Sequence, residues 1–150
     1  MFRGINPVSL DAKGRLAIPA KYRDRLRECC AGKLVITIDH GPCLLIYPLP
    51  EWEIVEQDLK GLSSTHRRSR NLKRLLLGHA EDCDMDSHGR ILLPPPLRTF
   101  ARLERRVVLV GQGNKFELWN EQAWYQLRDQ WLLEGADDRD LPVDLESLSF

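Results

Sequence analysis

Two stretches of the chain place hydrophobic residues at every second position and then stop at a proline. LAIP at 16–19 and ILLP at 91–94 share this pattern. A period of two is typical of a strand with one buried face, and proline terminates a strand ladder. The pattern therefore predicts two short strands whose alternate apolar side chains face inward.

The two strands belong to a longer internal repeat. DAKGR at 11–15 recurs 75 positions later as DSHGR at 86–90, and the similarity extends over 10–26 and 85–101. Further along, 44–59 matches 116–131 at an offset of 72. Two copies are too few for a solenoid, so the repeat indicates a pseudo-twofold pair.

Each copy predicts the same succession of elements: a tight turn, a short strand, a short helix, two strands and an amphipathic helix. The paired strands are predicted at 33–39 and 43–47 and again at 106–111 and 115–119, and the amphipathic helices at 50–60 and 121–133. A unit of about 50 residues buries too little surface to be stable alone. We therefore expect the copies to share one barrel-like core, with strands of each half completing the other's sheet.

Charge separates the body of the chain from its end. The 150 residues have a net charge of zero, but 134–150 contains six acidic residues and one basic residue, which leaves +5 on the rest. The stretch 60–74 contains six Lys or Arg and no acidic residue. A basic body with an acidic tail is compatible with nucleic-acid binding, which the net charge alone would argue against. The sequence has no long apolar run and no signal peptide at its N-terminus, so we expect a soluble, cytoplasmic protein.

Cysteine, histidine and acidic residues give no strong metal or catalytic motif. HGPC at 40–43 and HAEDC at 79–83 are weak metal spacings, and no CxxC occurs. The lone GQG at 111–113 lacks the rest of a glycine-rich phosphate loop. We predict no enzyme activity, no cofactor and no metal site.

The repeated D-x-x-G-R motif is where the sequence is most informative. Asp at the first and Gly at the fourth position are typical of a tight hairpin turn, and the formation of the turn alone would explain both residues. The repeated Arg exceeds what a turn needs, and it is expected at an exposed hairpin end with no packing role. Arginine contacts phosphate and guanine in a bidentate manner, and a two-stranded ribbon fits the major groove. The motif therefore favours a symmetric reader of DNA.

The segments LDAKGRLAIPAKYR (10–23) and MDSHGRILLPPPLR (85–98) resemble the paired motifs of the MraZ family, in the SpoVT-AbrB superfamily of swapped-hairpin proteins. GQGNKFELW (111–119) is similar to the second-half strand pair of the same family. The resemblance covers about residues 1–133. It implies an α+β fold, a tandem swapped-hairpin (AbrB-like) β-barrel made from two pseudo-symmetric repeats with flanking helices.

This resemblance, together with the internal repeat, implies the boundaries of the units of the chain. They are a first repeat at 5–52, a connecting basic helix at 61–80, a second repeat at 81–124 whose helix continues to about 133, and an acidic tail at 134–150.

The resemblance also implies a function. Family members are nucleoid-associated regulators that form ring-like homo-oligomers and bind repeated double-stranded promoter sites. Those sites lie upstream of the division and cell-wall gene cluster, which includes their own gene, and repression is the implied effect. The expected DNA-binding residues are Arg15, Arg90, Lys13 and His88, and the expected loop-shaping residues are Asp11, Gly14, Asp86 and Gly89. His88 departs from the Lys that the first motif has at that position.

Three alternatives stay open at this point. The basic helix, through Arg67, Arg68, Arg70 and Arg74, could form a secondary DNA surface or could face solvent or a neighbouring subunit. An antitoxin of a toxin–antitoxin pair is the rival function, because the same superfamily supplies such proteins and the acidic tail could bind a toxin. RNA binding is less favoured, since the aromatic residues fall at core-like helical spacings.

Overall fold

The computed structural model describes residues 1–135, which form five helices and eight strands in an α+β arrangement. The strands are β1 Ile5–Ser9, β2 Arg15–Ala17, β3 Lys33–Asp39, β4 Cys43–Pro48, β5 Glu81–Asp84, β6 Arg90–Leu92, β7 Arg106–Gly111 and β8 Phe116–Asn120. The helices are α1 Ala20–Cys30, α2 Leu49–Lys60, α3 Arg67–Leu76, α4 Pro95–Phe100 and α5 Glu121–Glu134. The predicted paired strands and amphipathic helices are all present, and their ends agree with the predictions to within one residue.

The two copies of the repeat exchange strands. Each copy keeps its own hairpin, β3–β4 in the first and β7–β8 in the second. The outer strands cross over, because β1 pairs with β7 of the second copy and β5 pairs with β3 of the first. The resulting antiparallel sheet has the order β1-β7-β8-β4-β3-β5. The order is symmetric, because each strand of one copy occupies the place opposite to that of the corresponding strand in the other copy. The expectation that each half completes the other's sheet is therefore confirmed at the level of strand pairing.

The expected closed barrel is not found in residues 1–135. In the described part of the chain, β2 and β6 form a two-stranded antiparallel ribbon that is separate from the six-stranded sheet. Each of these strands is three residues long and is followed within two residues by Pro19 or Pro94, so little ladder is available to join ribbon and sheet. Leu10, the residue after β1, forms an isolated β-bridge with Leu16 of the ribbon.

The main hydrophobic core lies between one face of the sheet and the ribbon. Ile36, Leu109 and Phe116 of the sheet and Leu16 and Ile91 of the ribbon are all 0–1% exposed and belong to one cluster. Burying a side chain of this size stabilises a fold by about 1.5–3 kcal/mol. The ribbon therefore derives its stability from the shared core rather than from its three-residue ladder.

Helices α2 and α5 cover the opposite face of the sheet. Trp52 of α2 packs on Val35, Leu45 and Tyr47, and Trp124 of α5 packs on a separate cluster around Trp119. The corresponding tryptophans of the two copies thus occupy corresponding places.

A proline or an asparagine directly precedes four of the five helices in residues 1–135. Pro19, Pro48 and Pro94 immediately precede α1, α2 and α4 with extended backbone angles. Because proline has a fixed φ and no N–H to leave unsatisfied, it starts a helix at little cost. Asn120 caps α5 by accepting a hydrogen bond from the Ala123 N–H at 3.0 Å.

The basic segment predicted at 61–80 contains helix α3, which is attached to the sheet at its C-terminal end. The buried Thr37 hydroxyl donates to the Leu76 carbonyl at 2.7 Å. No helix within residues 1–135 has the length and apolar character needed to cross a membrane. The acidic tail predicted at 134–150 lies outside the described residues from position 136 onward.

Candidate nucleic-acid interface

The first D-x-x-G-R loop is organised by the carboxylate of Asp11. One oxygen accepts hydrogen bonds from the N–H groups of Lys13 and Arg15, both at 2.9 Å. The other oxygen accepts from Arg15 Nε at 2.6 Å. The Gly14 N–H donates to the Asp11 carbonyl at 3.0 Å, which closes the turn. A single aspartate therefore fixes both the backbone of the loop and the direction of its arginine.

The second loop repeats this geometry. The Asp86 carboxylate accepts from the N–H groups of His88 and Arg90 at 2.8 and 2.9 Å and from Arg90 Nε at 3.1 Å. The Gly89 N–H donates to the Asp86 carbonyl at 3.0 Å. The same network in both copies supports the view that the loops perform one task twice.

The two glycines have a conformation that other residues adopt at a cost. Gly14 has φ +82° and Gly89 has φ +77°, in the left-handed region. Both are buried, in contrast to the exposed Asp, Lys and His side chains around them. The positive φ expected of the glycine in each turn is therefore present.

The β2–β6 ribbon places the two motif arginines side by side. Its register pairs Arg15 with Leu92, Leu16 with Ile91 and Ala17 with Arg90. The central pair, Leu16 and Ile91, is buried, so the flanking residues face outward. Arg15 and Arg90 are then diagonal neighbours on one outer face of the ribbon. The backbones of diagonal neighbours in an antiparallel pair lie about 7–8 Å apart. The geometry presents two guanidinium groups on a two-stranded ribbon.

The motif arginines, expected at exposed hairpin ends with no packing role, also form ion pairs inside their own loops. The side chains of Arg15 and Arg90 are 30% and 33% exposed, and each forms an ion pair with the aspartate of its own loop. Each Asp holds its Arg through Nε, as the Nε–carboxylate distances show. The two terminal NH₂ groups of each guanidinium therefore make no contact with that aspartate within hydrogen-bonding range.

The loop aspartates are held in their charged form. The pKa of Asp11 lies below its usual value, chiefly because the Arg15 N–H donates to the carboxylate, with further contributions from the Arg15 side chain and the Lys13 N–H. The pKa of Asp86 is lowered in the same way, first by the Arg90 N–H. Both loops therefore keep their ion pairs at neutral pH.

Lys13 and His88 lie at the exposed tips of the loops. Neither side chain takes part in the aspartate network, although the His88 ring nitrogen Nδ1 lies 3.4 Å from the Ser87 hydroxyl. Both side chains are therefore in position to contact a ligand that approaches the outer face of the ribbon.

A second pair of arginines, which are not among the predicted site residues, lies against the loop glycines of the opposite copies. A Cβ atom added to Gly14 would lie 2.5 Å from Arg98 Nη1, and one added to Gly89 would collide with the Arg23 guanidinium. Arg23 and Arg98 are themselves 75 positions apart. They are the last residues of the paired segments 10–23 and 85–98, but nothing in those segments indicates that each contacts the loop of the other copy.

The two cross-copy arginines differ in their hydrogen bonds. Arg23 Nε donates to the Ile18 carbonyl at 2.7 Å. Arg98 Nε is buried and has no hydrogen-bond partner within residues 1–135. Arg98 also lines a cleft beside the first loop, together with Asp11 and Arg105. The guanidinium of Arg98 thus lies between the first loop and a cleft that both acidic and basic side chains line.

The candidate secondary surface lies on α3. Arg67, Arg68, Arg70 and Arg74 are all exposed. None of them forms an ion pair with a residue in the described part of the chain, 1–135. The helix therefore has an uncompensated basic face.

Comparisons with known proteins agree with the doubled architecture. A family model described as "MraZ protein, putative antitoxin-like" matches the chain twice, over residues 1–75 and 76–140. The chain is 56% identical over 149 residues to a protein of Thioalkalivibrio sulfidiphilus named "Transcriptional regulator MraZ", with 99% of each chain covered. Proteins of the same name from Halorhodospira halophila and Pseudomonas aeruginosa are 56% and 51% identical, again with 99% of each chain covered. Two matches in the order of the two repeats, together with full-length relatives at this identity, establish that the chain belongs to the MraZ family.

Proposed function

We propose that the chain is a sequence-specific, DNA-binding transcriptional regulator that reads promoter sites with its two D-x-x-G-R loops. The observation that carries this proposal is the outer face of the β2–β6 ribbon, on which Arg15 and Arg90 are diagonal neighbours. A two-stranded ribbon fits the major groove, and arginine pairs with guanine through two acceptors there. The name of the relatives, transcriptional regulator, supports the same function.

Each loop contributes three kinds of residue to this reading. Arg15 and Arg90 contact base edges or phosphates through their terminal NH₂ groups. Lys13 and His88 add contacts from the loop tips, and the aspartates and glycines hold the loops in shape. Since the aspartate fixes Nε of its arginine, the guanidinium is pre-oriented and loses little freedom on binding.

Arg23 and Arg98 act as positioning residues in this proposal. Each lies beneath the loop of the other copy, so a shift of one copy moves the loop of the other. This support couples the two reading loops and favours their simultaneous engagement. The exchange of strands between the copies also supports a swapped-hairpin fold of the AbrB type. In this fold the two repeats extend over about 5–52 and 81–124.

Helix α3 supplies sequence-independent affinity. Its four exposed arginines face solvent without acidic partners in residues 1–135, and such a surface attracts the phosphate backbone. Phosphate contacts of this kind strengthen binding to any duplex and carry no sequence information.

The target and the assembly follow from the family. We infer a cytoplasmic, nucleoid-associated, ring-like homo-oligomer that binds repeated sites upstream of the division and cell-wall gene cluster and represses it. Two arginines give few base contacts, whereas linked subunits on repeated sites raise the apparent affinity by about 10²–10⁴ without new contacts.

The experiment is fluorescence anisotropy with a duplex from upstream of the protein's own gene and a scrambled duplex, across a salt series. Wild type should prefer the native duplex, and Arg15→Ala and Arg90→Ala should each lose that preference. Each lost phosphate contact should also reduce the log–log salt slope by about 0.9.

Arg128→Ala is the matched control, because Arg128 lies on α5 and pairs with the adjacent Asp129. It removes the same charge at a distance from the ribbon and should bind like wild type. Loss of preference in Arg128→Ala, or its retention in both ribbon variants, would place DNA reading elsewhere on the chain.

The antitoxin function is the second candidate, because the matching family description includes the words "antitoxin-like". It requires a toxin partner that binds this chain tightly and is inhibited by it. Co-expression with the product of the adjacent gene, followed by purification of a stable inhibitory complex, would favour it over the regulator of a gene cluster.

A further inference from the structure

Three side chains that can bind a metal converge at one end of the sheet. Asp39 is the last residue of β3, Cys43 is the first residue of β4, and Glu117 lies on β8. Asp39 pairs directly with Cys43, and Glu117 pairs with Leu45, two residues along the same strand. Because side chains two apart on a strand share a face, all three project from the same face of the sheet.

The donor atoms are already close to one another. The Cys43 sulfur and one carboxylate oxygen from each acidic residue all lie within 4.8 Å of one another. In a tetrahedral zinc site, bonds of about 2.0–2.3 Å place neighbouring donors roughly 3.3–3.8 Å apart. Small rotations of the two carboxylates, which are partly buried, would close this difference without moving the strands.

The Cys43 thiol provides a separate indication of a ligand. Its side chain is 0% exposed, and its sulfur has no hydrogen-bond partner in the part of the chain that the structure describes. The other three thiols, Cys29, Cys30 and Cys83, all donate to main-chain carbonyls. Within residues 1–135 the Cys43 sulfur therefore lies close to two carboxylates and takes part in no hydrogen bond, which leaves its lone pairs available to a metal ion.

We propose that Asp39, Cys43 and Glu117 bind a divalent transition-metal ion of the zinc type, with water in the fourth position. A thiolate ligand disfavours the hard ions Mg²⁺ and Ca²⁺, and two carboxylates disfavour Cu(I), so the donor set suits a borderline ion such as Zn²⁺. On binding, the Cys43 thiol loses its proton to solvent and the sulfur bonds to the metal as thiolate.

The surroundings of Cys43 and Glu117 favour the neutral forms of both side chains. Burial raises the pKa of the Cys43 thiol, and the neighbouring Glu117 and Asp39 raise it further. Burial likewise raises the pKa of Glu117, with Asp39 adding to the shift. Lys115 acts in the opposite direction on both groups, so it competes with a bound cation. A divalent ion bound to these groups would instead favour the charged form of both.

Binding would connect the turn between β3 and β4 to β8. The Trp119 indole N–H donates to Glu117 Oε1 at 3.2 Å, and a Cβ added to Gly41 of the turn would lie 2.6 Å from the Trp119 ring. Trp119 therefore contacts both the ligand set and the turn, and its fluorescence should report occupancy. The sequence alone does not indicate this site, because Glu117 lies far along the chain from Asp39 and Cys43.

The test is titration of the full-length, reduced protein with Co²⁺, which reports thiolate ligation through a near-ultraviolet charge-transfer band. Wild type should develop this band at one equivalent, lose it when Zn²⁺ is added, and show a rise in melting temperature with Zn²⁺ but not with Mg²⁺. Cys29→Ser, which changes an exposed thiol, is the matched control and should behave like wild type.

Two variants remove ligands, and one removes the competing charge. Cys43→Ala should abolish the band, and Glu117→Gln, which keeps its size, should weaken Co²⁺ binding at least tenfold while circular dichroism stays unchanged. Lys115→Gln should tighten binding. Absence of a band in folded wild type, persistence of the band in Cys43→Ala, or equal affinity of Glu117→Gln and wild type would each overturn the proposal.

Discussion

The guanidinium of Arg98 lies directly against Gly14, so that a side chain of the second copy supports the loop tip of the first. A Cβ at Gly14 would lie 2.5 Å from Arg98 Nη1. The relation recurs between Arg23 and Gly89. Glycine is therefore required in each loop for two reasons, the positive φ and the close approach of an arginine from the other copy.

Gly14→Ala should destabilise the protein and weaken DNA binding together. The φ of +82° costs a residue with a Cβ about 1–2 kcal/mol, and the new methyl group displaces the Arg98 guanidinium. Urea denaturation and anisotropy on the native duplex measure the two effects.

Gly61→Ala is the control for this change. Gly61 has φ −73°, and the nearest atom to an added Cβ is 3.5 Å away. We expect its stability to be unchanged or raised by about 0.4–1 kcal/mol. Equal losses at Gly14 and Gly61 would contradict the role given to the loop conformation.

Arg23→Ala should cost more stability than Arg98→Ala. Arg23 Nε donates to the Ile18 carbonyl at 2.7 Å, whereas Arg98 Nε makes no hydrogen bond within residues 1–135. The difference should be about 1 kcal/mol in the free energy of unfolding, the usual worth of one such bond. Chemical denaturation of the two variants checks it, and a larger loss for Arg98→Ala would show that the Nε bond is not what distinguishes them.

Stability should fall in acid as the loop aspartates take up protons. The pKa values of Asp11 and Asp86 are lowered in the folded state, so each carboxylate stabilises the fold above its unfolded pKa, near 3.8, and this contribution is lost as pH falls through the lower folded value. Asp11→Asn retains a side-chain acceptor but no charge, and its stability should depend less on pH in that range. Denaturation at a series of pH values decides the matter, since parallel curves for wild type and variant would exclude this contribution.

Leu16→Ala should destabilise the protein by about 2–5 kcal/mol, because Leu16 is 0% exposed in the core that joins ribbon and sheet. Leu92→Ala is the matched control on the partner strand, where the side chain is 58% exposed. Thermal unfolding should separate the two clearly. Similar melting temperatures would mean that the ribbon does not depend on the shared core.

The double variant Arg67→Ala/Arg70→Ala should weaken binding to native and scrambled duplexes by the same factor. Both residues lie on the exposed basic face of α3, which we assign to phosphate contacts. The salt slope should fall by about 1.8 if both contacts are lost. A change confined to the native duplex would instead make α3 a reader of sequence, and an unchanged slope would leave it as a solvent-facing helix.

The sequence predicts the elements of this fold well because the repeat states each of them twice. The strands at 33–39 and 106–111 have the predicted ends, and the two amphipathic helices differ from prediction by one residue at one end each. The crossing of strands between copies was also predictable, because neither copy could bury enough surface alone.

What the sequence did not reveal depends on side chains that meet only in the folded chain. The packing of Arg98 on Gly14 requires the exact crossing of the copies, and the cluster of Asp39, Cys43 and Glu117 requires the register of three strands. The ion pair between Asp11 and Arg15 is local, with a separation of four residues, but the D-x-x-G signature explained the aspartate without it. The ribbon does not join the six-stranded sheet because β2 and β6 are only three residues long. The prolines indicate where these strands end, but not how short they are.

The exchanged strands have a consequence for synthesis of the chain. Asn6 on β1 donates its side-chain amide to the carbonyl of Leu109 on β7 at 3.0 Å, so the first strand finds its partner only after more than a hundred residues have been translated. Until then, the nascent first half has unpaired edges on β1 and β3, and such edges pair readily with other chains. In a fragment that ends before β5, the edges of β1 and β3 can be paired only with strands of a second molecule. We expect such a fragment to associate with itself, and the full chain to fold slowly, as proteins with many distant contacts do.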